Sequence, residues 1–135
     1  FNKFKNVNYK GYLKYKDIPL TLSCYDVLLL PYSKKVHVRS NNLETGNHMS
    51  PLKLFDYLSS KKIIIASKMS VYSHILNKKN SILLNPTDNK EWAKKINYVF
   101  KNLSYFNKIK LNAFKTAKKF TWDQRVKKII KFIHD

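Results

Sequence analysis

A chain of 135 residues and 16.0 kDa is long enough for one hydrophobic core and too short for two ordinary domains in series. Its 44% hydrophobic and 26% charged residues exclude a disordered or collagen-like chain. Twenty-seven basic residues against eight acidic ones give a formal charge of +19, a balance suited to nucleic acid, anionic membrane or a phosphorylated ligand. Only Arg39 and Arg125 among those basic residues are Arg, however, so much of the charge reads as Lys bias on solvated faces, since nucleic-acid readers favour the bidentate guanidinium.

The opening FNKFKNVNYKG lacks the apolar core of a signal peptide and a starting Met, and reads as mid-chain sequence, a piece of something larger. Val7 to Tyr9 is expected as a short strand ending at Gly11, and Ile18 to Tyr25 as a short helix with Pro19 in its first turn. Asp26-Val27-Leu28-Leu29-Leu30-Pro31 is apolar without alternation, the pattern of a strand covered on both faces and hence of a parallel sheet. Ser33 to Met49 is too long and too polar for an ordinary connection and is expected to be a functional or mobile loop, the least ordered part of the domain. Its Lys34, Lys35 and Arg39 are expected near the ligand cleft.

Ser50-Pro51 suits the cap and first turn of a helix whose Leu54, Phe55 and Leu58 give an apolar face. Ile63 to Ala66 is a second buried strand, Ser70 to Leu76 a short helix, and Ser81 to Leu84 a third strand that Pro86 ends. Asp88 and Glu91 mark the start of a helix carrying Trp92, Ala93, Ile96, Val99, Phe100 and Leu103 at helical spacing. Another helix is expected over Asn107 to Lys119. Thr121 and Gln124 form a capping-box pair ahead of a last helix with Val126, Ile129, Ile130 and Ile133 on one face. Strands alternating with amphipathic helices make an α/β domain around a parallel sheet.

Cys24 is the single cysteine, which excludes a disulfide framework and a cysteine zinc site and fits a reducing compartment. His37, His48, His74 and His134 are scattered without metal-ligand spacing. The longest apolar runs, Val27 to Pro31 and Ile63 to Ala66, fall far below the roughly 20 residues of a membrane helix. Ligands of open parallel sheets sit outside the carboxyl ends of the strands, which selects Gly11-Tyr12 and the loops after Pro31 and Ser67. A helix starting at Ser50-Pro51-Leu52-Lys53 aims free N–H groups at an anion such as phosphate, with Lys53 adding a charge; equally, Ser50 is a plain cap and Lys53 a solvated lysine. Asp56 follows Lys53 by less than one turn, where its carboxylate can accept hydrogen bonds from both hydroxyls of a ribose or pair with Lys53 or Ser60.

These blocks also carry a resemblance. Val7-Asn8-Tyr9-Lys10-Gly11-Tyr12, Ile18-Pro19, Asp26 to Tyr32, Ser50-Pro51-Leu52-Lys53-Leu54-Phe55-Asp56-Tyr57-Leu58, Ile63 to Ser67, and Asn112-Ala113 with Thr121-Trp122-Asp123-Gln124-Arg125 appear in an order that resembles the carboxyl-terminal domain of group 1, family 4-like GT-B glycosyltransferases. The resemblance implies a Rossmann-like parallel sheet with flanking helices that binds a nucleotide-diphosphate sugar as substrate, with no cofactor and no metal. It implies that Ser50, Pro51, Leu52 and Lys53 meet the donor diphosphate, that Asp56 binds the ribose, and that Gly11 and Tyr12 lie by the base. It further implies retention of configuration, a glycan or lipid-linked acceptor held by an amino-terminal domain, no specific nucleic acid, and a cytoplasmic enzyme in peripheral contact with an anionic membrane.

Three departures accompany it. Asp56 stands where the family usually has Glu, and His48 stands where the first acid of the paired-glutamate motif falls. The chain also starts after the family's first strand and helix, so the resemblance implies a domain incomplete at its amino terminus, marginally stable and without transferase activity alone. Two other readings compete, a basic module for nucleic acid or anionic membrane, and an inactive remnant of a glycosyltransferase.

Overall fold

The computed structural model describes residues 4–33 and 52–134. Three strands, β1 (Val27–Leu30), β2 (Ile63–Ser67) and β3 (Ile82–Leu84), form a parallel sheet in the order β1-β2-β3, with Val27 opposite Ile63 and Ile65 opposite Ile82. All three are the unalternating apolar runs of the sequence, as expected for strands that need cover on both faces.

The central strand organises the core. All five residues of β2 are buried, and successive side chains leave opposite faces of the sheet. Ile64 and Ala66 pack with Leu54 and Leu58 of α2 (Leu52–Ser59), with Tyr72 and Leu76, and with Ala113 of α4 (Asn107–Ala117). Ile63 and Ile65 join Leu84 and, from the other helical layer, Val99 of α3 (Asn89–Lys101) and Phe106 of the 3-10 turn Leu103–Phe106. Each fully buried Leu or Ile contributes roughly 1.5–3 kcal/mol, so β2 and its two covers supply most of the fold's driving force.

The helix starts follow local chemistry. The Asp88 carboxylate accepts the Glu91 N–H at 2.8 Å and caps α3, and the Trp92 indole N–H donates to the Asn85 carbonyl at 2.9 Å. Thr121 Oγ1 accepts the Gln124 N–H at 3.3 Å ahead of α5 (Trp122–His134). The short helix α1 covers Ile18–Ser23 with Pro19 in its first turn.

The structure departs from the sequence reading in three places. Val7 to Tyr9 is not a strand, because no described strand lies beside it and an isolated extended segment has no ladder to hold it. Ser70 to Leu76 forms only the 3-10 turn Ser70–Tyr72 and a following turn. Buried Asn80 explains this: its Oδ1 accepts the Asn77 N–H and its Nδ2 donates to the Ile75 carbonyl, both at 2.8 Å, so the side chain takes backbone groups a longer helix would use. The helix expected to Lys119 ends at Ala117 and tightens into the 3-10 turn Lys118–Phe120. The last helix, α5, forms as expected, and no residue on it is fully buried. The loop expected from Ser33 to Met49, with Lys34, Lys35 and Arg39, and the helix start at Ser50-Pro51 lie outside the described residues, apart from Ser33 itself.

Candidate functional site

Because Leu54 and Leu58 point into the core, helical geometry turns Leu52, Phe55 and Asp56 to another side of α2. There they line a cavity of about 400 Å³. Tyr15, in the 3-10 turn ahead of α1, adds an aromatic ring. The remaining wall comes from one short stretch, Lys119, Phe120, Thr121, Trp122, Arg125 and Lys128. Phe55 and Phe120 hold the walls together with ring centroids 5.6 Å apart, and the Arg125 guanidinium lies 5.4 Å from the centre of the Trp122 ring.

Asp56 is half-buried in this cavity, and burial raises its carboxyl above the ordinary value of 3.8. Among the described residues its carboxylate has no hydrogen bond or ion pair, so its acceptor capacity is open. The cavity thus presents one free carboxylate, three cations and several aromatic rings. That set suits a ligand with a flat ring, paired hydroxyls and negative charge.

Of the residues singled out in the sequence, the structure brings Leu52 and Asp56 into this cavity. Lys53 is exposed and does not line it. Gly11 and Tyr12 do not line it either; Tyr12 is 92% exposed, and the aromatic ring from this part of the chain that does line the cavity is Tyr15. Gly11 has φ +68° with nothing within 4 Å of a would-be Cβ, so the backbone bend and not a close approach requires glycine there. Ser50 and Pro51 lie outside the described residues. The sequence reading missed Tyr15, Lys119 and the α5 side chains. Trp122 and Arg125, three apart on one helix and adjacent to a capping pair, were the available signal, and their motif was noticed without being given a role.

A smaller cavity of about 190 Å³ sits at the carboxyl edge of the sheet, between Pro31, Tyr32, Ser33, Ser67, Pro86, Asn89 and Trp92. This is the edge where parallel sheets receive ligands, and it uses the loops after Pro31 and Ser67. Buried Ser67 Oγ has no hydrogen-bond partner among the described residues. No cluster of three or more His, Cys, Asp or Glu is present among them, and none of their helices is long and apolar enough to cross a membrane.

No protein-family model and no curated protein sequence matches the chain. Solved structures do. Sucrose-phosphate synthase from Thermosynechococcus elongatus superposes with a TM-score of 0.73 at 14% identity, over 95% of this chain and 29% of that one. The C-terminal domain of the group 1 glycosyl transferase LpcC from Francisella tularensis superposes with a TM-score of 0.60 at 17% identity, over 84% of this chain and 51% of that one. The chain therefore spans less than a third of the first and about half of the second. Its three-stranded parallel sheet with flanking helices has the Rossmann-like fold of the carboxyl-terminal half of GT-B glycosyltransferases.

Proposed function

We propose that this chain is the donor-binding part of a glycosyltransferase and that its cavity receives the nucleoside of a nucleotide-diphosphate sugar. The observation that carries the reading is Asp56, a carboxylate without a hydrogen-bond or ion-pair partner among the described residues, in an aromatic-walled cavity on α2 of a GT-B-like fold. Its two oxygens accept hydrogen bonds from the vicinal hydroxyls of the ribose, which a charged acceptor binds more strongly than a neutral one. The α2 start at Leu52 and the cationic wall favour the diphosphate, so the leaving group is neutralised by the helix dipole and basic side chains without a required metal or cofactor. The domain is the donor half of a transferase, acting with retention of configuration on a glycan or lipid-linked acceptor held by another domain. It works in the cytoplasm.

Peripheral contact with an anionic membrane is a second reading with its own support. Along α5, Val126, Ile129 and Ile130 are about half exposed and Ile133 is 71% exposed, while Lys127, Lys128 and Lys131 charge the same helix.

Titration calorimetry with UDP, GDP and ADP tests the donor reading. Asp56→Ala is expected to weaken the best-bound nucleotide by about 1–3 kcal/mol, the range for lost hydrogen bonds to a charged group, while Asp56→Glu retains binding and a chelator changes nothing. Affinity should also fall on acidification, because a protonated carboxyl loses its charge-assisted acceptor role, with a midpoint above the ordinary 3.8. Equal affinity of wild type and Asp56→Ala removes Asp56 from the site.

A further inference from the structure

The cavity of about 190 Å³ at the carboxyl edge of the sheet differs from the larger one in carrying no charge. In a chain with 27 basic and eight acidic residues, none of its described lining residues is charged. The two acids at the start of α3 are committed to backbone, since Asp88 accepts the Glu91 N–H and Glu91 accepts the Asn85 N–H. The Trp92 indole N–H is spent on the Asn85 carbonyl, so Trp92 offers the cavity its ring and not its donor. Tyr32, Pro31 and Pro86 add further flat or apolar surface. Against it stand neutral polar groups, among them the Ser67 hydroxyl and the Asn89 amide. Side chains alternate along β2, so Ser67 leaves the sheet on the face of Ile63 and Ile65, the face that α3 covers and from which Asn89 and Trp92 line the cavity. Ser67 is 1% exposed, and its Oγ has no hydrogen-bond partner among the described residues. A buried hydroxyl left unpaired is costly, and a guest with a hydroxyl of its own relieves that cost.

We propose that this cavity is a subsite for one uncharged sugar ring, a hexopyranose that carries no phosphate. Such a ring has C–H faces that pack on Trp92 and Tyr32, and a rim of hydroxyls that exchange hydrogen bonds with Ser67 and Asn89, each able to donate and accept. The volume is roughly six times the ~30 Å³ share of one water, more than a single bridging water fills. It also falls below the roughly 300–1,000 Å³ of pockets for larger ligands, too little for a whole nucleotide sugar. With no cation on the lining, nothing there meets a diphosphate. The two cavities share no lining residue, so the assignment does not rest on the reading of Asp56.

The test uses emission from Trp92 in a Trp122→Phe background, since the chain has only these two tryptophans. Glucose, galactose, mannose and N-acetylglucosamine are titrated beside the 6-phosphates and UDP conjugates of the same sugars, and beside sorbitol, an open-chain polyol. A saturable change with at least one neutral sugar is expected, with weaker binding of its 6-phosphate and none of sorbitol. Ser67→Ala should weaken the best sugar about fivefold, the worth of one neutral hydrogen bond, without lowering the urea midpoint, because it removes an unpaired buried group. Asn89→Ala, at an exposed position, should weaken it too and gives a second reading independent of the core. Asp56→Ala should leave sugar affinity within twofold. Sugar binding that ignores both Ser67→Ala and Asn89→Ala, or that is lost in Asp56→Ala, puts the ring elsewhere and overturns the proposal. Tighter binding of the 6-phosphate overturns it as well, since it marks attraction to the general positive charge of the chain. A UDP conjugate whose affinity falls with Ser67→Ala as the free sugar's does would make this the donor's own sugar site and overturn the unphosphorylated assignment. No saturable response to any neutral sugar means that water alone fills the cavity, and the proposal fails while the Asp56 reading stands.

Discussion

β1 and β2 are adjacent, parallel and both built chiefly from aliphatic residues, yet their surroundings differ sharply. Ile63–Ser67 has a strand on either side and helical layers on both faces, and all five residues are buried. Val27–Leu30 has one strand partner; Leu28 and Leu30 are buried, Leu30 in the cluster shared with α2 and α4, while Leu29 on the opposite face is 39% exposed. The same contrast extends along the chain. Phe4, Tyr12 and Leu20 before β1, and the apolar residues of α5, are exposed, whereas the apolar residues of α2 that face the sheet are fully buried. An apolar run is thus enough to make a strand, but what covers it is decided by its neighbours. The flank of β1 is an uncovered half of an α/β layer structure, and parallel sheets are normally covered on both faces.

The largest effect should come from the covered side. Leu58 is completely buried between α2 and the sheet, so Leu58→Ala removes most of a packed side chain and leaves a cavity, costing about 2–5 kcal/mol in urea denaturation. Leu20→Ala, at 73% exposure, should change stability by less than about 0.5 kcal/mol. Similar losses at the two positions would show that the flank is packed after all and would break the comparison.

A second, smaller effect is a titration on the covered side. Burial, with Tyr32 nearby, pushes the Tyr72 phenol up to about 12 from 10.0, and its O–H donates to the Ser67 carbonyl at the end of β2. Between those values the unfolded chain has released the proton that the folded chain keeps, so stability falls as pH rises from about 10 to about 12. The loss should reach on the order of 2 kcal/mol and be absent in Tyr72→Phe, which instead lowers stability at every pH by about 1 kcal/mol through the unpaired carbonyl. Denaturation midpoints at pH 9 and 11 decide it; equal alkaline sensitivity in both proteins would mean that the phenol is not held at the strand end.

Sequence alone was enough for the sheet because each strand is a short apolar run bounded by polar or Pro residues, a pattern that does not depend on long-range context. The Asp88 and Thr121 caps were legible for the same reason, each being a contact between residues three apart. Asp56 could be placed on α2 by spacing, but its cavity could not, since the opposite wall comes from residues more than sixty positions later. The turn in place of a helix after Ser70 depends on Asn80 reaching back to Ile75 and across to Thr116, a network no local pattern announces. Helical spacing in α5 described an amphipathic face correctly and said nothing about whether anything packs on it.

The smallest effect on stability should have the clearest effect on association. β1 ends the described sheet with an outer edge of unpaired backbone groups and, on one face, an exposed Leu29. Neither a charged residue nor Pro lies within Val27–Leu30 to discourage pairing with another strand, so the 135-residue chain should self-associate through this edge and bind a hydrophobic dye while folded. Leu29→Lys places a charge beside that edge and removes little buried surface. It should alter the unfolding free energy by less than about 1 kcal/mol while lowering the mass seen by light scattering toward that of a monomer. The matching change on the covered strand, Ile65→Lys, should unfold the domain, because the charge has no route to solvent from a fully buried position. Were Leu29→Lys as disruptive as Ile65→Lys, the β1 face would have to be a core face, and the contrast between the two strands would disappear.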